Sequence, residues 1–149
     1  MQLEHETVQR GKSSRRPRRD KGITIIMSRD RRVLPWIGEQ YAARLDQVQV
    51  LLSHNRDSGP SSSAISLSAA LQVVQRWTEL GLVEYRRMAH GEPGWVWLTH
   101  HGLGELGLTY TKYVPKLSAL PHLYLVNRLR LVHEQRNPLY PWKSERALR

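Results

Sequence analysis

The stretch from Leu67 to Gly102 constrains the fold more than any other part of this chain. Leu67, Leu71, Val74, Trp77 and Leu80 recur at spacings of three and four, the signature of a helix that buries one stripe. That helix starts near Ser66, and Gly81 supplies its stop. Two runs rich in Val, Tyr and Trp follow at once, Leu82 to Met88 and Trp95 to Leu98, joined by Ala-His-Gly-Glu-Pro-Gly. They read as a β-hairpin. Thr99 then caps a short helix kept brief by Gly102 and Gly104.

Two more helices are expected upstream. Ser28 reads as the cap of the first, which runs to about Gln40 with Val33, Trp36 and Ile37 inward and a kink or boundary at Pro35. Tyr41 to Leu45 is a short link with room for one strand pair. Asp46 reads as the cap of the second helix, with Val48, Leu51 and Leu52 inward. The polar, Ser-rich run Asn-Arg-Asp-Ser-Gly-Pro-Ser-Ser-Ser-Ala-Ile-Ser separates it from the third helix. Downstream, Pro121 suits the first residue of a long helix that ends near Arg136, before Asn137-Pro138.

Charge narrows the function class. The 149 residues carry 23 Lys and Arg against 13 Asp and Glu, a formal net charge of +10, which favours a polyanionic partner. No apolar run approaches the roughly 20 residues of a spanning helix, so no membrane partner is expected. The N-terminus shows no apolar signal core, and without cysteine there is neither a disulfide nor a thiolate metal site, which fits a cytoplasmic protein. Residues 1–22 read as a disordered basic arm. Arg15, Arg16, Arg18 and Arg19 are either solvated there or track phosphates.

Three helices, a hairpin and a further helix make a mainly α chain with a small β-hairpin (α+β), in the order of a winged helix-turn-helix with an additional long C-terminal helix. Residues 23–110 form that domain, 111–137 a linker and the long helix, and 138–149 a C-terminal tail. The third helix turns Ser68, Gln72, Gln75, Arg76 and Glu79 away from its buried stripe. A helix fits the major groove of double-stranded DNA, where Gln and Arg read base edges. The expected contacts are Ser66, Ser68, Gln72, Gln75 and Arg76 from the helix, and Arg86, Arg87 and His90 from the hairpin. Strand alternation sends only one of Arg86 and Arg87 toward DNA, and Trp95 and Trp97 share a face better suited to core packing than to base stacking.

Several of these segments also resemble known proteins. Leu80-Gly81-Leu82-Val83 before the hairpin and Leu98-Thr99-His100-His101-Gly102 after it resemble bacterial winged-helix regulators. Together with "VLPWIGEQYAARLDQVQVLL", "PHLYLVNRLRLVHEQR" and the closing Trp142-Lys143-Ser144-Glu145-Arg146, they resemble the replication-relaxation family of plasmid and integrative-element proteins. The resemblance spans roughly residues 30 to 149 and implies DNA binding in plasmid replication, relaxation, transfer or its transcriptional control. In some members a nuclease-like domain follows the closing motif. Glu145 would then be the first carboxylate of a metal site whose other members have no sequence left to occupy here.

The chain is accordingly read as a non-enzyme with no cofactor, no catalytic residue and no metal site. Two alternatives stand beside this reading: the N-terminal part of a metal-dependent nuclease or relaxase, and a protein-interaction adaptor. Leu125, Leu129 and Val132 stripe the long helix, with Tyr124 and Leu131 beside them. That stripe either covers the core or pairs residues 121–136 with a second copy, as similar helices do in PadR-like regulators.

Overall fold

The computed structural model describes residues 26–56 and 63–149. Its elements run α1 (Ser28–Glu39), β1 (Ala43–Arg44), α2 (Leu45–His54), α3 (Leu67–Glu79), β2 (Val83–Arg86), β3 (Trp95–Leu98) and α4 (His100–Glu105). A 3-10 turn (Leu117–Ala119), α5 (Leu120–Arg136) and α6 (Glu145–Leu148) follow. The fold is mainly helical, with one three-stranded antiparallel sheet ordered β1-β3-β2.

The sheet sorts the core into two halves. Val83 pairs with Leu98 and Tyr85 with Val96, while Ala43 pairs with Val96 from the other edge. Directly opposed residues share a face, so these five side chains point the same way, toward α1, α2 and α3. Val33, Leu34, Ile37, Val48, Leu52, Ala70, Val74 and Trp77 complete that half. Glu84, Arg86, Trp95 and Trp97 point the opposite way, where Ala42, Leu120 and Leu123 bury the two indoles. Strand β3 is therefore buried on both faces. This explains why Trp-Val-Trp-Leu is a continuous apolar run rather than an alternating one.

The motifs around the hairpin interlock. Gly81 ends α3 at φ +74°, a conformation costly for any residue with a Cβ. Its carbonyl accepts the Thr99 hydroxyl proton, and the Leu82 carbonyl accepts Thr99 N–H at 3.0 Å. Thr99 Oγ1 accepts Gly102 N–H at 3.0 Å, capping α4. A Cβ on Gly102 would meet the Leu82 oxygen at 2.0 Å, so only glycine lets α4 lie this close to the chain leaving α3.

Several local expectations shift by a residue or a face. The cap of α1 is Met27, not Ser28, and its N–H donates to the Asp30 carboxylate at 3.2 Å. Helix α1 continues through Pro35 without a boundary. Arg44, not Asp46, caps α2, and its N–H donates to Gln47 Oε1 at 3.2 Å. Asp46 lies in the first turn, where its charge suits the helix dipole. Strand β2 ends at Arg86 rather than Met88. In α3 the buried positions are Ala70, Val74 and Trp77, while Leu67 is exposed.

The long helix docks through a face its sequence disguises. Leu125, Leu129 and Val132 are exposed, so that stripe does not cover the core. The inward positions are Leu120, Leu123, Asn127 and Arg130. Asn127 Nδ2 donates to the Ala42 carbonyl at 2.8 Å and to Gln47 at 3.1 Å, and Gln40 donates to Asn127 at 3.2 Å. Arg130 reaches Gln40 at 3.1 Å and Glu39 at 2.8 Å, with its guanidinium 4.8 Å from the Trp36 ring centre. Polar groups can be buried here because each finds partners.

Residues after α5 fold back onto α1. Trp142 Nε1 donates to Gln40, and Ser144 is buried as the cap of α6. The Arg146 guanidinium lies 4.7 Å from the ring centres of both Tyr41 and Tyr110, and donates to the Gly38 and Thr111 carbonyls. Tyr41 holds a left-handed φ of 72°, which costs on the order of 1–2 kcal/mol in a side chain with a Cβ. Its ring contacts with Arg146 and Tyr113 offset that cost.

Candidate nucleic-acid interface

Ser68, Gln72, Gln75 and Glu79 form one exposed row along α3, opposite Ala70, Val74 and Trp77. The spacing of 3.6 residues per turn puts Leu67 and Leu71 on one flank of this row and Arg76 on the other. Ser66 caps the helix, its Oγ accepting Ala69 N–H at 3.0 Å, which leaves the hydroxyl proton available for donation.

The hairpin lies along the first flank. A cleft of about 310 Å³ is lined by Leu67, Ser68 and Leu71 of α3 and by Tyr85, Arg87 and Pro93 of the hairpin. Tyr85 braces the hairpin end, its hydroxyl accepting Gly94 N–H at 3.1 Å while its ring occupies the space a Gly94 side chain would need. The pleat separates the two arginines. Arg87 lines the cleft beside α3, whereas Arg86 turns to the other side of the sheet, 5.5 Å from the Trp97 ring centre. His90 is exposed in the connection. Glu92 also lines the cleft, and its carboxylate lies 3.8 Å from Arg44.

Beneath the hairpin two ion pairs stiffen the sheet. Arg44 Nε donates to Asp46 at 2.7 Å. Burial pushes the Asp46 carboxyl up, but the Arg44 hydrogen bonds and charge and the Tyr124 hydroxyl outweigh it and hold it below its ordinary value. Glu84 is likewise held low, first by Lys112 at 2.6 Å and then, against some burial, by the Trp97 indole at 2.8 Å. The Trp95 and Trp77 indole nitrogens are buried without a hydrogen-bond partner.

The second flank holds residues that sequence reasoning missed. Arg76 Nη1 donates to Asp30 at 3.0 Å, and Arg29 reaches the same fully buried carboxylate at 3.3 Å. Arg76 thus has a structural task inside the molecule besides any at its surface. Arg32 donates to the Asn55 carbonyl at 2.8 Å, which brings the Asn55-Arg56 turn to α1, and Arg31 is exposed beside it. The signal in the sequence was the run Ser-Arg-Asp-Arg-Arg opening α1. Nothing local in that run names Arg76 as its neighbour.

Arg15, Arg16, Arg18 and Arg19 lie outside the described residues. Among the described residues no group of three or more His, Asp or Glu side chains is placed to hold a metal ion, and no helix is long and apolar enough to cross a membrane. No family model matches the chain, and no match is found among curated proteins or solved structures.

Proposed function

We propose that this chain is a winged helix-turn-helix protein that binds double-stranded DNA in the cytoplasm, with α3 entering the major groove and the β2–β3 hairpin acting as the wing. The observation that carries this reading is the exposed Ser68–Gln72–Gln75 row beside Arg87 of the hairpin, across one shared cleft. Glutamines on a rigid, core-anchored helix read base edges, and a neighbouring cation grips phosphate. A net charge of +10 supplies the long-range attraction. The resemblance to the replication-relaxation family assigns this binding to plasmid or mobile-element replication, relaxation, transfer or its transcriptional control.

The test is fluorescence anisotropy on a duplex of about two helical turns across a salt series. Affinity falls steeply as salt rises, with a log–log slope of about −0.9 per neutralised phosphate. Arg87→Gln weakens binding to all duplexes and flattens the slope, while Gln72→Ala and Gln75→Ala reduce discrimination between sequences. Absence of any duplex affinity at low salt overturns the proposal in favour of a protein-binding adaptor. The chain is proposed to lack nuclease activity: nicking of supercoiled plasmid in magnesium that Glu145→Ala abolishes would reverse that assignment.

A second copy is proposed as a further partner, through α5. Leu125, Leu129 and Val132 are 57%, 54% and 39% exposed on one line. Leu129 lies between the other two, so an antiparallel two-fold pair sets Leu125 of one copy against Val132 of the other. Arg128 and Arg136 flank the line, whereas Glu134 turns inward to Trp36 and Arg130. Self-association should therefore strengthen with salt while DNA binding weakens. Sedimentation finding only monomer at micromolar concentration in high salt removes the dimer, and Leu129→Glu should abolish it.

A further inference from the structure

Where the chain between α4 and the 3-10 turn passes the end of α1 and reaches α6, a second cleft opens, of about 360 Å³. Tyr41, Tyr110 and Tyr113 line it beside Lys112, Arg146 and Arg149. It shares no residue with the cleft between α3 and the hairpin. Each of the three tyrosines is half-buried, so each ring is anchored yet keeps surface toward the opening. Among the described residues no Asp or Glu side chain lines the cleft. Lys112 and Arg149 pair with carboxylates that lie outside the lining, Glu84 and Glu145. Arg146 has no acidic partner among the described residues. Its guanidinium meets two rings and two carbonyls, and the carbonyls take only two of its five N–H donors. Burial pushes the Arg146 pKa below its ordinary value, with the three tyrosines opposing that push and no carboxylate taking part. A half-buried cation without a counter-charge is unfavourable, and a bound anion relieves it.

We propose that this cleft takes one unpaired nucleotide, its base stacked on a tyrosine ring and its phosphate held by Arg146 with Arg149. Rings and cations together specify the ligand class. Inorganic phosphate or a lone carboxylate would use the cations and leave three aromatic rings idle. A nucleotide uses both, because every base has a π-face to stack and a phosphate that the arginine fork can grip. Bases inside a duplex keep their faces to one another, so the occupant is a free nucleotide or a stretch of single strand. The volume falls within the roughly 300–1,000 Å³ span of small-molecule sites. This site does not depend on the proposed entry of α3 into a major groove.

The experiment titrates the full chain into a fluorescently labelled thymidine hexamer, with thymidine monophosphate, unlabelled hexamer and inorganic phosphate as competitors. A hexamer carrying 5-iodouracil, crosslinked by light and mapped by mass spectrometry, locates the base; the crosslink should fall on Tyr41, Tyr110 or Tyr113. Tyr110→Leu or Tyr113→Leu should weaken hexamer binding by about five- to 150-fold, the range of one lost stacking contact. Arg149 is 73% exposed, so Arg149→Gln leaves the fold intact, and thermal melting of every variant checks this. It should lower the magnitude of the salt slope by up to about 0.7, one single-strand phosphate contact. Displacement by the monophosphate makes a free nucleotide the occupant, and displacement by the hexamer alone makes it a strand. If inorganic phosphate competes as well as the monophosphate, if the crosslinks fall elsewhere, or if all three variants match the unaltered chain, the inference fails. Duplex binding by the unaltered chain and by Arg87→Gln is measured apart, so the α3 reading stands or falls on its own.

Discussion

Gly102 and Gly104 lie two residues apart in α4, and replacing each by alanine should move stability in opposite directions. At Gly102 the new Cβ would sit 2.0 Å from the Leu82 oxygen and 2.9 Å from its carbonyl carbon. Both are backbone atoms, so no rotamer change relieves the clash, and α4 must retreat by more than about 1 Å to reach ordinary contact distance. That retreat strains or breaks the bonds tying Thr99 to Gly81 and Leu82, each worth about 1 kcal/mol. It also loosens packing at Leu103, only 3% exposed, where misfit costs about 1–3 kcal/mol. A net loss of about 3–4 kcal/mol follows, which for a chain of this size lowers Tm by roughly 10 °C. At Gly104 nothing lies within 4 Å of the added carbon. Alanine there gains about 0.5–1 kcal/mol of helix propensity, a rise of a few degrees. Urea unfolding with a common m value, checked by thermal melting, reads both changes. A Gly102→Ala protein within about 1 kcal/mol of the parent, or two variants shifting the same way, would refute the close-approach argument.

Other expected outcomes concern charge. Removing Arg76 leaves buried Asp30 with Arg29 at 3.3 Å and the Met27 N–H at 3.2 Å; because Arg76 is itself about a third exposed, the loss should be about 1–3 kcal/mol rather than the full penalty of a dry pair. A double-mutant cycle of Arg76→Ala with Asp30→Ala should show coupling in urea unfolding, and strict additivity would deny the pair. The folded-state pKa of Asp46 is depressed, so its contribution to stability is present above the unfolded value near pH 4 and disappears as pH falls through the folded value. Asp46→Asn should flatten the acid limb of a Tm-against-pH curve, and an unchanged limb would show the carboxylate is not linked to folding. Glu92→Gln removes an anion from the cleft between α3 and the hairpin, so duplex affinity should rise, most visibly at low salt. No rise in anisotropy titrations would place phosphate elsewhere.

Much of the helical and hairpin order was legible because its signals are local. Gly81, Thr99 and Gly102 punctuate the chain wherever a cap or a close approach is needed, and the Gln72–Gln75 row follows from helical period alone. Errors appear where distant partners override a local rule. The apolar stripe of α5 left open whether it covers the core or meets a second copy, and local pattern could not decide it: Asn127 and Arg130 take the inward positions because Gln40, Gln47 and Glu39 wait there to satisfy them. Trp95 and Trp97 announced a buried face, but nothing near them named Leu120 and Leu123 as its cover. The inward task of Arg76 is hidden from the sequence because its partner, Asp30, lies 46 residues away. The caps at Met27 and Arg44 escaped notice since the helping groups, Asp30 and Gln47, sit three residues inside each helix.

The double-sided burial of β3 also bears on how the molecule would come apart. A strand gripped from above and below acts as a keel: peeling α5 away would expose two indoles at once, so the C-terminal helix and the hairpin should melt as one unit. Amide protons of Val96 and Trp97 would then be among the slowest to exchange. A shortened chain ending near residue 110 would be a sticky, half-uncovered sheet rather than a smaller self-contained domain.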